Sequence, residues 1–388
     1  MLNENLLNLD TETAFGVLAR AGELEKAGNS VINLGIGQPD FKTPVHIVEA
    51  GIKALKDGAH GYTPSMGLVS LREAVLQDLS NRYGFCPPIN QIQITPGGKP
   101  IIFMAAMIYG GKDKEIILPD PSFPIYKSAV AYSGAMPITY GLSEKNRFAF
   151  NADEILDKIN SRTSMIIINS PHNPTGGVTP PKEIRKLVEG LLNYPSITLF
   201  SDEIYDRFVF ESPPHSLLSY PEIQDRLIIL NGWSKTYAMT GWRIGFGIWP
   251  EKSIEFADKI GVNYHSCVNA ATQYAALAAT TGDQKCVETM RVVFKRRAEL
   301  ITANLNIVKG INCQLPGGAF YAFPNIKGLS IDADDMQNSL LENFGVASLA
   351  GTAFGSNGEG YLRLSSANSD ELIIKACKMI EQLAQSRE

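Results

Sequence analysis

Apolar and polar positions along this chain follow two different periods, and the places where the period changes mark its elements. In residues 11–27 apolar side chains recur at Ala14, Val17, Leu18, Ala21 and Leu24, the spacing of an amphipathic helix. A second stripe, Leu68, Leu71, Val75 and Leu79, predicts a helix over 68–83 that Gly84 stops. Between them, Val31 to Phe41 reads as a short strand breaking into a Gly/Pro turn.

From Gln91 the texture becomes strand, turn and helix in repetition. Strands are predicted at Ile92–Thr95, Glu115–Leu118, Met136–Tyr140, Met165–Asn169, Ile197–Phe200, Leu227–Leu230 and Ile244–Ile248. Helices fall between several of them, most clearly over 180–192. There Thr179 is expected to cap, Pro180 and Pro181 to start, and Ile184, Leu187, Val188, Leu191 and Leu192 to face inward. Short apolar strands alternating with helices predict an α/β three-layer sandwich whose mostly parallel sheet is covered on both faces. After about residue 280 the pattern shifts to a charged helix near 284–307, a Pro316–Tyr321 turn, a strand at Tyr361–Ser365 and a helix over 369–385. The expected organisation is an N-terminal segment (1–45) packing with a smaller α+β domain (284–388), and a large domain (46–283) between them.

Composition narrows the function classes. The 388 residues are 44% hydrophobic, enough for a large core, and the net charge of −5 provides no basic field for nucleic acid or an anionic membrane. Five scattered cysteines, Cys86, Cys267, Cys286, Cys313 and Cys377, show neither zinc spacing nor a disulfide framework. No Lys or Arg precedes Arg20, and the longest apolar run, Ile101 to Tyr109, is too short to span a bilayer. A soluble cytoplasmic protein is expected. The histidines, His46, His60, His172, His215 and His265, have no metal-ligand spacing, and Gly35-Ile-Gly37 lacks the third glycine of a dinucleotide fingerprint.

Ligands of parallel sheets sit beyond the carboxyl ends of the strands. Four such loops carry chemistry. Gly97-Gly98-Lys99 opens a helix and can present N–H groups to an anion. Ser170 to Gly176 can aim the Asn173 amide at a ligand oxygen. Asp202 is followed three residues on by Tyr205. Asn231 to Arg243 places Lys235 at the mouth of a buried strand, with Ser234 and Arg243 beside it. Taken singly, these are a tight turn, a connector, a helix cap with a core tyrosine, and a solvated lysine. Taken together they match what pyridoxal 5′-phosphate requires: a phosphate cradle, a carboxylate for the ring nitrogen, donors for the phenolic oxygen and a lysine for the aldehyde.

The chain also resembles the fold-type-I, class I aminotransferases, most closely their aspartate/aromatic-type branch, over nearly its whole length. The resemblance rests on Asn33–Asp40, Tyr62–Gly67 with Leu71-Arg72, Gly97–Lys99, Asn173–Gly176, Ser201–Tyr205, Ser234–Arg243, Pro316–Tyr321 and Tyr361–Arg363. It implies a pyridoxal-phosphate-dependent aminotransferase passing an amino group between an L-amino acid and a 2-oxo acid by a ping-pong mechanism. Lys235 would be the Schiff-base lysine and proton shuttle, and Asp202 the partner of the ring nitrogen. Tyr205 and Asn173 would serve the phenolic oxygen, and Gly98, Lys99, Ser234 and Arg243 the phosphate. Phe123 would stack on the ring, Arg363 would bind the substrate α-carboxylate, and the Gly37 backbone would approach that same carboxylate. Tyr62 would reach the neighbouring subunit's phosphate, implying a homodimer. Gln38 stands where the branch usually has Glu, His172 where many members carry Asn, and Gly232 where some relatives use a phosphate-binding Ser; the Gln38 and His172 changes leave open a substrate other than the branch's commonest ones. The same motifs serve C–S β-lyases and cyclopropane-forming synthases. A cofactor-sensing regulator would need an added DNA-binding domain, for which the chain has no spare residues.

Overall fold

The computed structural model describes residues 4–85, 87–211 and 215–386, so Cys86 lies outside the described residues. Numbered along the chain, the strands begin with the short β1 (Ile32–Asn33). The next seven are β2 (Ile92–Thr95), β3 (Glu115–Asp120), β4 (Met136–Gly141), β5 (Thr163–Asn169), β6 (Thr198–Asp202), β7 (Leu227–Gly232) and β8 (Gly245–Ile248). They form one seven-stranded sheet in the order β2-β8-β7-β6-β5-β3-β4. Only β8 runs against its neighbours; the β7-β6-β5-β3-β4 pairings are all parallel.

The apolar runs of the inner strands are explained by burial on both faces. Ile116 and Leu118, Met165 and Ile167, and Ile228 and Leu230 belong to one core. The residues between or beside them, Ile117, Ile166, Ile168, Leu227 and Ile229, belong to another. The first core is closed by helices Lys99–Tyr109 and Pro124–Tyr132, through Ile101, Met104, Ala129 and Val130. The second is closed by helices Val69–Tyr83 and Pro181–Leu191, through Leu71, Val75, Ile184 and Leu187. The architecture is thus the expected three-layer α/β sandwich.

The predicted Thr179 cap is not made. With Pro180 and Pro181 fixing the backbone, the helix starts at Pro181 and the cap position falls on Pro180. Thr179 is buried one residue upstream, and its N–H donates to Ser170 Oγ at 3.0 Å.

A second body, with a core of its own, gathers Ile32 and Leu34 with Ile301, Leu305, Leu340, Ile373 and Ile380. Its strands are β9 (Tyr321–Ala322), β10 (Val346–Ala347), β11 (Leu349–Ala350) and β12 (Leu362–Ser365). β11, β12 and β9 form a three-stranded antiparallel sheet, while β1 pairs in parallel with β10. Helix Lys285–Asn306 joins the two bodies: Val287, Met290 and Phe294 sit in the main core, Ile301 and Leu305 in the second. Among the described residues, no helix is long and apolar enough to cross a membrane.

One buried ion pair ties the outer helix layer to the end of β6. Arg82, on helix Val69–Tyr83, donates to Asp206 at 2.5 Å and to Asp78 at 2.6 Å, and the Tyr83 hydroxyl donates to Asp206 at 2.8 Å. Asp206 is 2% exposed, so loss of its cation would leave a charge stranded in the interior. Arg82→Met is therefore expected to lower unfolding stability by about 3–5 kcal/mol, measured by urea denaturation with an unchanged slope.

Candidate active site

The carboxyl ends of β5 and β6 stop level with one another, Asn169 pairing with Asp202, and β7 runs two residues beyond the Leu230 that pairs with Asp202. Around this edge opens a cavity of about 560 Å³, lined from the sheet, the N-terminal segment and the second core.

Asp202 is 4% exposed. Its carboxylate accepts from the Tyr126 hydroxyl at 2.6 Å and from the Ile204 N–H at 3.1 Å. It therefore serves as a turn cap and still faces the cavity. Burial pushes its pKa up to about 6, against the two hydrogen bonds and the nearby Lys235, which pull it down. Lys235 lies in the short helix Trp233–Thr236 directly after β7. Its ammonium donates to the Gly37 carbonyl at 2.6 Å and sits 5.9 Å from the Tyr205 ring centroid. Burial first, then the charges of Arg363 and Arg243, lower its pKa to about 8.

Arg363, on β12, crosses from the second core into the cavity. Its guanidinium donates to Asn173 Oδ1 at 3.1 Å and to the Gly35 carbonyl. It lies over the rings of Tyr321 and Phe354 at 4.7 and 4.9 Å. Because Asn173 accepts from an arginine, its Oδ1 must face Arg363, which leaves the amide's N–H donors for another group. The Tyr205 hydroxyl shares a 2.7 Å hydrogen bond with that of Tyr321. A side chain at Gly37 would collide with the same Tyr321 hydroxyl, at 2.3 Å.

The anion cradle forms where three glycines meet. Gly97 adopts φ +89°, and any Cβ there would strike the Arg243 guanidinium at 2.3 Å. A Cβ on Gly245 would meet the Gly97–Gly98 backbone at about 3 Å. Arg243 is itself left-handed, at φ 55°, and its side chain folds back to donate to the Thr240 carbonyl at 2.8 Å. Gly98, Ser234 and Arg243 line one wall, at the start of helix Lys99–Tyr109, where backbone N–H groups and the helix dipole favour an anion.

Every site residue expected from the sequence lines this cavity except Tyr62, which is 94% exposed and stands outside it. Lys99 lines the cavity with its ammonium paired to Glu12, 5.4 Å from the Phe15 ring centroid and 5.8 Å from that of Phe123. Phe123 meets Tyr126 edge-on at 5.7 Å. Sequence reasoning did not assign the Tyr126–Asp202 bond, the Tyr205–Tyr321 pair, or Glu12. Tyr126 stands three residues after Phe123, one helical turn further on, which was the available signal.

A family model described as aminotransferase class I and II matches residues 29–380. The chain belongs to this family. It is 37% identical over 368 residues to an aspartate aminotransferase of Pyrococcus horikoshii, covering 94% of this chain and 92% of that one. It is 34% identical to aromatic-amino-acid aminotransferase 2 of Thermococcus litoralis, covering 94% of each. Among solved structures, the alanine aminotransferase of Pyrococcus furiosus superimposes with a TM-score of 0.93 at 30% identity over the whole of both chains. The protein is thus a pyridoxal-phosphate-dependent aminotransferase. The cavity fits that cofactor: it offers a buried carboxylate, spare amide donors, a lysine and a glycine-lined anion wall.

Asp202 supplies a pH test. A carboxyl whose folded pKa is raised adds stability below its unfolded value, near 4, and that stability is lost as pH rises through about 6. In the cofactor-free protein, Asp202→Asn should flatten the fall in stability between pH 4 and 6.5 relative to the wild type, followed by urea midpoints at each pH.

Proposed function

We propose that Lys235, Asp202 and Tyr205 carry the transamination, and that Arg363 binds the α-carboxylate of both the amino acid and the 2-oxo acid. The observation that carries this reading is the setting of Lys235, which shares one cavity with the buried Asp202 carboxylate and the buried Arg363 guanidinium.

When bound, pyridoxal phosphate supplies an electron sink that acidifies the substrate Cα–H. Asp202 would hold the ring nitrogen and keep it protonated, since a carboxylate this buried gains most from a cationic partner. Tyr205 and the Asn173 amide would hold the phenolic oxygen, Phe123 the ring face, and Gly98, Ser234 and Arg243 the phosphate. Lys235 Nζ moves the proton at the substrate Cα. A lysine lowered to about 8 can release and regain a proton near neutral pH at little cost. Arg363 grips the carboxylate with two parallel N–H bonds, a geometry lysine cannot supply. The Gly37 backbone and Tyr321 hydroxyl would border that position, packed so closely that a side chain at residue 37 would not fit.

The assembly we propose is a homodimer in which Tyr62 serves the partner's phosphate wall. Its support is a set of exposed apolar residues, including Val45 at 70%, Leu55 at 52%, Phe256 at 53% and Tyr264 at 77%. The four described cysteines are free, which suits a reducing, cytoplasmic setting. The relatives carry names for aspartate, aromatic amino acids and alanine, so relatedness alone does not select the substrate.

Three measurements test these roles. Lys235→Ala should abolish turnover and the visible absorption of the bound cofactor, with the fold retained by circular dichroism. Persistence of both signals overturns the assignment. Arg363→Ala should raise KM for amino and oxo acids by roughly a hundredfold, the worth of about 3 kcal/mol for a charged hydrogen-bonded pair. Tyr62→Phe should weaken cofactor retention about five- to tenfold, in line with one hydrogen bond, and sedimentation should show two chains per particle.

A further inference from the structure

Glu12 and Lys99 are two cavity residues that the roles above leave unused. Glu12 immediately precedes helix Thr13–Lys26, and its side chain is 14% exposed. Lys99 opens helix Lys99–Tyr109. Their ion pair joins the N-terminal segment to the sheet body, flanked by the rings of Phe15 and Phe123. Ile36 and Ile102 line the cavity as well. The Glu12 charge is felt by Lys235, Arg363 and Tyr321, which places it in the field of the reacting centre and not at a remote rim.

We infer that Glu12 is a specificity-determining residue: by occupying the Lys99 ammonium it makes the side-chain end of the cavity neutral and selects amino acids with uncharged side chains over dicarboxylates. The inference rests on Arg363 holding the α-carboxylate, as proposed above. With that end fixed, Lys235 at the reacting centre and Arg243 given to the phosphate, the remaining cation among the described residues lining the cavity is Lys99, which a second carboxylate reaches only by displacing Glu12. Anion would then face anion beside a Glu12 side chain that is only 14% exposed, and such a like-charge juxtaposition disfavours the second carboxylate. An uncharged side chain meets Phe15, Phe123, Ile36 and Ile102 without disturbing the pair. Lys99 alone would make a dicarboxylate site; Lys99 with Glu12 does not.

The test compares succinate with butyrate, which share one carboxylate and differ in having a second carboxylate or a methyl group at the far end. Binding to the holoenzyme is measured by calorimetry for the wild type, E12Q and E12Q/K99A. The wild type is expected to favour succinate by less than threefold. E12Q should raise the succinate-to-butyrate affinity ratio roughly tenfold or more, and E12Q/K99A should abolish that gain. The ratio of kcat/KM for glutamate over leucine should move in the same direction. An unmoved ratio in E12Q, a gain that survives loss of Lys99, or a wild type already favouring succinate tenfold overturns the inference. Arg363→Ala in the E12Q background keeps the two readings apart. Unmoved butyrate affinity there counts against Arg363, whereas an unmoved succinate-to-butyrate ratio in E12Q counts against Glu12.

Discussion

A carboxylate held at the buried end of a central strand constrains everything around it. Asp202 lies inside the protein because β6 is the middle strand of the seven-stranded sheet, flanked in register by Asn169 and Leu230. Ionised there, it must be hydrogen-bonded or matched by a positive charge. The fold supplies the Tyr126 hydroxyl and one backbone N–H, and burial still outweighs them, which leaves the acid raised to about 6. A cationic ring nitrogen would complete what the protein leaves incomplete. The site is thus poised for its cofactor by a deficit in the protein's own electrostatics.

The second constraint is the crossing of Arg363. A guanidinium with 4% exposure, anchored on β12 of the smaller core, reaches Asn173 on a loop of the main sheet and the Gly35 carbonyl of the N-terminal segment. Three separate parts of the chain therefore meet at one side chain. Contact with the rings of Tyr321 and Phe354 restrains the planar guanidinium, so little rotamer freedom would be lost on binding a carboxylate. The residue proposed to bind the substrate carboxylate thus also sits where the two bodies join.

The seven central strands were legible in the sequence because each is an apolar run closed by polar or glycine residues, a signal independent of tertiary context. The loops were legible because parallel sheets place ligands at strand ends, so Gly98, Asn173, Asp202 and Lys235 could be read as neighbours. Two kinds of information were not legible. One was pairing between distant side chains: nothing local to Tyr126 or Tyr321 says that their hydroxyls meet Asp202 and Tyr205. The other was competition for a charge. Lys99 follows the anion-binding glycines and looked like a phosphate ligand, but a glutamate 87 positions upstream takes its ammonium. Thr179 shows the same limit at short range, where two prolines shifted the helix start by one residue.

The division of labour between rigid and appended parts explains why relatives named for aspartate, aromatic amino acids and alanine can share this architecture. The groups matched to the cofactor, Asp202, Tyr205, Asn173, Lys235 and the glycine wall, all follow strands of one sheet packed on both faces. They cannot shift without disturbing that core. Glu12, Phe15 and Ile36 belong instead to the N-terminal segment, which is joined to the smaller core by the two-residue β1 pairing and by the Arg20–Glu342 ion pair. A segment held by so few ladder bonds can change its side chains, or its seating, without cost to the sheet. If Glu12 sets the choice of substrate as inferred above, chemistry is fixed where the fold is least free to vary and selection falls to the part that is most free.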